Sequence, residues 1–502
     1  MKKLLNLLKW LDNNLIQILF AVFVFIVPLY PKLPLHMINY TYIAIRVEDI
    51  YMVLLILAYC IQLLRKKVSL NKVFFIPFSL FWIAAFASYL YGYKISHTII
   101  IGHLGFLHAL RRVEYMSAFF VAASVIKSKK DFFFFLKLNL FVLLIVLVYG
   151  VGQKFLGWPA VQTMNPEYAK GYFLFLTPEA RISSTFSGHY DLAAYLVFFM
   201  PIIAAFYFFK KNIYYFGLLL FSIFILVLTA SRISYAAFVV SLFPFLILIR
   251  KPKHFAIVLI FTLVFTFTSK NLTSRFKRTF QVKQIFVNQN TGQVVIPQKI
   301  SAKEVPAGSF YIGVNNLNLT SDPELLRQRL LDDLRDQEKK KGNKLTKDQE
   351  NQVVASMESK LKPINTVVSD ISFATRLQVE WPRAINAFLK SPILGTGPSS
   401  ITEATDNDYL RTIGEFGLLG SLLFAFIFFL LGRTVVFGLK AAVENEKIIY
   451  LGFLFGLFGL LLNAGYIDVF EASKVAFQFW LMSGLFVASL SLNKGKNRHE
   501  EK

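Results

Sequence analysis

The stretch LLLFSIFILVLTASRISYAAFVVSLFPFLILI, residues 218–249, consists of two apolar runs joined by the short turn TASRIS. Runs of this kind are long and apolar enough to enter a bilayer as helices. The basic pairs Lys210–Lys211 and Arg250–Lys251 flank the stretch on both sides, and such clusters mark the cytoplasmic face. The stretch therefore predicts a hairpin of two membrane helices with Arg232 at its outer turn.

The composition of the whole chain agrees with a membrane protein. Of 502 residues, 55% are hydrophobic, with 54 Phe and 22 Tyr, and such a chain has too little polar surface for a soluble domain. The single cysteine, Cys60, excludes a disulfide framework and a cysteine-based metal site. The net charge of +24 comes largely from lysines at the ends of apolar runs, where topology requires them. We therefore expect no nucleic-acid partner.

We predict an all-α integral membrane protein with about 12 spans, because this number places seven basic clusters on one face. Its predicted parts are spans 1–9 in residues 1–269, a large outer loop in 270–408, spans 10–12 in 409–492 and a cytoplasmic tail in 493–502. The spans are placed near 15–31, 48–64, 73–92, 113–126, 132–152, 190–209, 213–231, 234–249, 254–269, 409–432, 448–466 and 472–492. Both termini are then cytoplasmic, and the N-terminal segment lacks a small-residue cleavage site, so we predict an uncleaved first span.

Arg232 is costly to hold in or near lipid. The returning arm of its hairpin has only about 15 apolar residues, or ~22 Å of helix, against ~30 Å of hydrocarbon. We therefore expect a turn recessed below the outer lipid surface, with Arg232 facing a wet cavity lined by protein.

Four further arginines fall on the outer side, against the usual charge bias. They are Arg46, Arg112, Arg181 and Arg376. The guanidinium group holds its charge in poorly hydrated sites and binds phosphate with two parallel hydrogen bonds. The alternative is that they anchor helices or pair with nearby acids, which Glu48 and Asp49 offer to Arg46, and Glu114 offers to Arg112.

The outer loop has three parts. Residues 279–300 alternate around an Asn-Thr-Gly turn and predict a small hairpin. Residues 322–362 predict charged helices with Ser321 or Asp322 as N-cap and a break near 342–343. Their charges are typical of a solvated helix face, and residues 372–405 return the chain to the membrane.

Three stretches together resemble the O-antigen ligase and O-antigen polymerase (Wzy-like) family of envelope glycosyltransferases. RISSTFSGHYDLAAYLVFFMPI (181–202) is similar to the family's Arg and Thr-Phe before a span, and TASR (229–232) to its Thr-x-Ser-Arg turn. The third stretch, 375–424, resembles the family's Arg, Trp and Pro-x-x-Gly-x-Gly, followed by Asn-x-Tyr-Leu and Glu-x-Gly-x-x-Gly. The insertion at about 279–365 has no recognised counterpart.

The resemblance implies transfer of a polyprenyl-pyrophosphate-linked glycan on the outer face of a bacterial cytoplasmic membrane. Fixed guanidinium groups would stabilise the charge that builds on the leaving pyrophosphate. Carried over by position, Arg181, Arg232 and Arg376 act on that group. Asp406 is the predicted general base, because an aspartate can take the proton of an attacking sugar hydroxyl. The substrate-binding candidates are Arg46, Arg112, His189, Asn407 and Tyr409, with His189 also the alternative base.

One departure from the family concerns the base. Related ligases show His-Asn before Tyr-Leu, whereas this chain has Asp406–Asn407, as in many polymerase-like members. We therefore predict polymerisation of lipid-linked repeats into a surface polysaccharide, with ligase-type transfer to a lipid or protein acceptor as the alternative. A flippase of the same lipid is a second alternative, although its charges should follow the whole transit path rather than gather at the outer end.

A metal-independent reaction is expected. Asp406 and Asp408 form an Asp-x-Asp pattern that could hold Mg²⁺ or Mn²⁺, but the arginines make such an ion redundant. Gly395 and Gly397 lack the Lys-Ser/Thr and the strand of a nucleotide loop. The expected partners are lipid-linked glycan donor and acceptor, membrane lipids and other polysaccharide-assembly proteins.

Overall fold

The computed structural model describes residues 2–38, 44–163, 168–269, 271–274, 280–288, 294–295, 323–341, 346–369, 375–401 and 405–500. The chain forms two compact units. The first combines Met1–Leu272 with Arg383–Lys502, and the second is Thr273–Pro382. The predicted N-caps Ser321 and Asp322 and the predicted helix break at 342–343 lie outside the described residues.

The first unit is a helical bundle. Its helices are α1 (Lys2–Leu29), α2 (Val47–Leu64), α3 (Lys72–Leu90), α4 (Gly102–Val125), α5 (Lys129–Phe155), α6 (His189–Lys210), α7 (Ile213–Thr229), α8 (Arg232–Leu248), α9 (Pro252–Thr268), α12 (Trp381–Lys390, most of which lies in this unit), α13 (Asp408–Ala441), α14 (Glu444–Ala464) and α15 (Ser473–Glu500). A two-stranded hairpin of β1 (His36–Met37) and β2 (Ala44–Ile45) joins α1 to α2.

Eight described helices are long and apolar enough to cross a membrane, namely α1, α2, α3, α5, α6, α13, α14 and the first 20 residues of α15. Helices α7, α8 and α9 are also apolar but have 17 residues each, or about 25 Å. The prediction of an all-α polytopic membrane protein is confirmed. The count of twelve spans stays a prediction.

Most side chains of helix α6 are buried, which places this helix at the centre of the bundle. It packs against α14, where Gly456 brings the two backbones together. A Cβ added at Gly456 would lie 2.3 Å from the Phe198 carbonyl oxygen, so a larger residue would push the helices apart. Small residues at such crossings are typical of membrane helices, which associate by close packing.

Helices α2, α4, α6, α8, α13 and α15 all begin at one end of the bundle, which we call the outer end after the predicted topology. Several contacts join these starting points. Lys474 at the start of α15 donates to the carbonyl oxygens of Pro28, Tyr30 and Thr185 at 3.0, 2.7 and 2.5 Å. Polar groups from distant parts of the sequence therefore meet at the outer end.

The second unit combines strands and helices. Strand β3 (Phe280–Asn288) pairs antiparallel with β4 (Val294–Val295) and with β5 (Leu361–Ser369). Two helices, α10 (Pro323–Lys341) and α11 (Lys347–Glu358), pack through a small core that includes Leu330 and Val354. An exposed ion pair between Arg335 and Glu350 joins them, and Arg335 holds the pKa of Glu350 below its usual value.

Candidate active site

Arg232 is the first residue of α8, directly after the turn that ends α7. Ala230 has a left-handed backbone with φ of 49°, which reverses the chain. The hydroxyl of Ser231 donates to Ser234 at 2.9 Å, and Ser234 donates to Asn463 Oδ1 of α14 at 2.7 Å. The turn that carries the half-buried Arg232 is therefore hydrogen-bonded to the C-terminal end of α14.

Asp406 precedes the N-cap of α13. Asn407 is that cap, since its Oδ1 accepts the backbone N–H groups of Tyr409 at 3.1 Å and Leu410 at 3.0 Å. Its Nδ2 donates to the Gly465 carbonyl at 2.9 Å. The structure thus gives Asn407 a capping role, and its role in substrate binding stays a prediction. Asp406 is half-buried and immediately precedes the cap.

Two carboxylates tie this segment to the loop between α14 and α15. Asp408 Oδ2 accepts the backbone N–H groups of Val469 and Phe470 at 2.7 and 3.1 Å. In return, Asp468 accepts the N–H groups of Thr405 and Asn407, on either side of Asp406. The two segments therefore hold each other by reciprocal carboxylate-to-amide bonds.

Arg411 completes this contact from within α13. Its Nη1 lies 2.9 Å from Asp468 Oδ2, and its Nε lies 3.5 Å from Glu415 Oε1. The Arg411 side chain is 2% exposed, so a buried cation compensates both acids. Neither Arg411 nor Asp468 was among the site residues predicted from the sequence.

Arg112 reaches the same region from α4. Among the described residues its ion-pair partners are Glu471, in close contact, and Glu415, whose Oε2 lies 4.0 Å from Nη2. They are not its sequence neighbour Glu114. The guanidinium carbon also lies 5.3 Å from the centre of the Phe416 ring. These contacts give Arg112 a role in holding the bundle, whereas substrate binding by Arg112 stays a prediction.

Arg181 and His189 meet at the start of α6. An Nη1 of Arg181 contacts His189 Nε2, and the guanidinium carbon lies 5.7 Å from the centre of the Tyr190 ring. Nearby, the Ser187 hydroxyl donates to Asp191. Two predicted site residues are thus brought together, because the guanidinium of Arg181 contacts a ring nitrogen of His189, the alternative base.

Arg46 lies immediately before α2, where its N–H donates to Asp49 Oδ2 at 2.9 Å. Beside it, Lys32 Nζ lies 2.6 Å from Glu48 Oε1 and also contacts the Ser473 hydroxyl. Burial lowers the pKa of the Lys32 ammonium, and the Glu48 carboxylate opposes that shift. Both acids that the sequence offered to Arg46 therefore have contacts in this corner of the bundle.

The glycines of the third resembling stretch shape the backbone beneath the Asp406 segment. Gly395 has φ of 74°, and a Cβ there would lie 2.3 Å from the Glu415 carbonyl. Helix α13 is kinked at Gly417, with φ of 62° and ψ of −164°, where a Cβ would lie 2.3 Å from the Ile393 carbonyl. Both positions therefore require glycine, for conformation and for space.

Arg376 belongs to the second unit, in the π-helical turn Arg376–Glu380. The other candidates, including Arg181, Arg232 and Asp406, belong to the first unit.

A cavity of about 430 Å³ lies between α2 and α4. Its lining is mostly aliphatic and includes Val53, Leu54, Leu110 and the β1–β2 hairpin residue Ile45. The ionisable groups in this lining are Asp49, Arg111 and Glu114.

The α14–α15 loop (residues 465–472), with its flanks, contacts three of the predicted site segments. Asn463 binds the Arg232 turn, Gly465 and Asp468 bind the Asp406 segment, and Glu471 binds Arg112. In the sequence this loop was predicted only as the link between the last two spans. A signal was present, since GYIDVFEASK (465–474) carries two acids and a lysine between apolar helices.

Residues 217–425 match a family model described as O-antigen ligase. This range contains the Arg232 turn, Arg376 and Asp406, and it supports the resemblance that the motifs indicated. It ends before the α14–α15 loop. A search of curated proteins found no match.

Proposed function

We propose, from the O-antigen ligase family domain at residues 217–425, that this protein transfers a glycan from a polyprenyl pyrophosphate carrier to an acceptor hydroxyl. The family match carries this proposal, and it favours ligase-type transfer over the polymerisation that the motif predicted. The polytopic helical bundle of this protein suits a donor that is anchored in the membrane.

The proposed step begins at the acceptor. Its hydroxyl oxygen attacks the anomeric carbon of the lipid-linked sugar, and Asp406 takes the hydroxyl proton. The bond from the anomeric carbon to the pyrophosphate oxygen breaks, and the electron pair leaves with the polyprenyl pyrophosphate. Arg181 and Arg232 of the first unit stabilise the negative charge that develops there, whereas the same role for Arg376 rests only on the motif resemblance.

Asp406 is the better candidate base of the two. His189 lies outside the range that matches the O-antigen ligase model, residues 217–425. Asp406 lies inside that range and is half-buried. Its carboxylate can accept a proton, whereas the Asn407 amide cannot.

Polymerisation of lipid-linked repeats is the second candidate, and the Asp406–Asn407 pair in place of His-Asn favours it. In that case the acceptor hydroxyl belongs to another lipid-linked repeat. A flippase is not supported, since the matched family is described as a ligase.

The test uses purified protein in lipid nanodiscs with a polyprenyl-pyrophosphate oligosaccharide, alone and with a glycolipid acceptor. Ligase-type activity gives a single transfer that requires the acceptor. Polymerase activity gives a ladder of chain lengths from the donor alone. Absence of both products, with the donor bound, would refute glycan transfer.

Two variants examine the base. Asp406→Asn should reduce transfer to a low residual rate and keep donor binding, because the amide preserves the size of the side chain but cannot take the proton. Asp406→His should retain some activity, since imidazole titrates near neutral pH. Neither change removes the α13 cap, which Asn407 supplies. A fully active Asp406→Asn protein would transfer the assignment to His189.

A further inference from the structure

The Asp468 carboxylate receives three donors around the candidate base. The Thr405 N–H donates to Oδ2 at 2.9 Å and the Asn407 N–H donates to Oδ1 at 3.0 Å. The Arg411 guanidinium donates to Oδ2 at 2.9 Å. The two amides lie immediately before and after Asp406, so one side chain holds the backbone on both sides of it.

Asp468 is itself firmly placed. Its neighbours Ile467 and Val469 are buried, and the Phe470 ring packs against Phe424 and Phe428 with centroid distances of 5.7 and 5.1 Å. Residues packed in this way have few alternative rotamers. The loop therefore offers a rigid carboxylate rather than a mobile surface acid.

The backbone at Asp406 needs such support. Its φ is 50°, in the left-handed region that residues with a Cβ adopt at some cost. A conformation of this kind persists where its surroundings enforce it. The bonds from Asp468 to the amides of residues 405 and 407 supply that enforcement and fix the direction in which the Asp406 side chain leaves the backbone.

We propose that Asp468 is a positioning residue that sets the orientation of the Asp406 carboxylate, an inference that rests on the proposed function for its catalytic consequence. Asp468 lies beyond the family match, which ends at residue 425. The orientation of the candidate base is thereby determined by a loop outside the matched domain.

We call the two hydrogen bonds from the Thr405 and Asn407 amides to Asp468 the clamp. The first experiment tests whether the clamp exists and needs no transfer assay. Amide hydrogen exchange of the peptide covering residues 405–410 is compared in the unaltered protein, Asp468→Asn and the control Glu446→Gln. The control weakens another partly buried ion pair, Lys129–Glu446 at 2.8 Å, where the cytoplasmic ends of α5 and α14 are predicted. We expect exchange about tenfold faster in Asp468→Asn only, because the amide group presents a donor to a backbone donor. Unchanged exchange overturns the clamp.

The second experiment measures transfer kinetics. Asp468→Asn should lower kcat at least about tenfold with KM for the lipid-linked donor within about twofold, since misplacing a reacting group slows chemistry more than binding. Asp468→Glu serves as the partner variant, because it keeps the charge beside Arg411 and moves the carboxylate by one methylene. It should also lose kcat.

The decisive comparison is the double variant Asp406→Asn/Asp468→Asn. If Asp468 acts through Asp406, the double variant is no slower than Asp406→Asn alone. Losses that multiply, or rates that follow only the fraction of folded protein, overturn the positioning role. A wild-type protein without transfer activity overturns the proposed function, and the exchange result still decides whether the clamp exists.

Discussion

Arg112 offers a direct test of whether the outer end is held together by buried ion pairs. Its side chain is 6% exposed, and those of Glu415 and Glu471 are 1% and 13% exposed. Arg112→Ala leaves buried acids without this cation, and breaking such a pair costs about 3–5 kcal/mol. That is a large part of the stability of a typical domain. We therefore expect the Arg112→Ala protein to accumulate poorly in membranes and to lose its fold at a lower temperature.

The assay is the fraction of monodisperse protein after heating in detergent. The control Arg65→Ala removes a solvent-exposed pair with Asp12, which should contribute little to stability because water and salt screen it.

Glu471→Gln should change the stability in opposite directions in the unaltered protein and in Arg112→Ala. It should destabilise the unaltered protein and partly restore Arg112→Ala, because it removes an uncompensated carboxylate while Glu415 keeps Arg411. If Arg112→Ala melts like Arg65→Ala and Glu471→Gln brings no recovery, the ion-pair account is wrong and substrate binding becomes the main role of Arg112.

Three shorter predictions concern the site itself. Arg232→Lys should reduce transfer nearly as much as Arg232→Ala, since lysine keeps the charge but loses the paired donors; full turnover by the lysine variant, at normal expression, would make Arg232 only a topological anchor. Transfer should survive excess EDTA, and loss that Mg²⁺ or Mn²⁺ restores would reassign Asp406 and Asp408 as ligands. Asn407→Ala should destabilise the protein by about 1–2 kcal/mol through the lost cap, whereas Asn407→Asp should retain most of it; equal melting temperatures for the two variants would contradict the capping role.

Much of the fold could be predicted because its signals are local. Apolar runs and flanking lysines show membrane helices one segment at a time, since hydrophobicity and charge placement act on each helix separately. The Thr-Ala-Ser-Arg stretch likewise indicated a turn between two apolar runs, and α8 begins at its last residue, Arg232. The order of the motifs pointed to the family that residues 217–425 match.

The tertiary structure alone decided which polar groups meet. Arg112 lies more than 300 residues before its partners Glu415 and Glu471, and the sequence offered the nearby Glu114 as a partner. The choice between them depends on which helices are neighbours at the outer end, which is a property of packing and not of spacing along the chain. The same holds for Asp468, whose bonds to the Thr405 and Asn407 amides exist only because the α14–α15 loop folds against the start of α13.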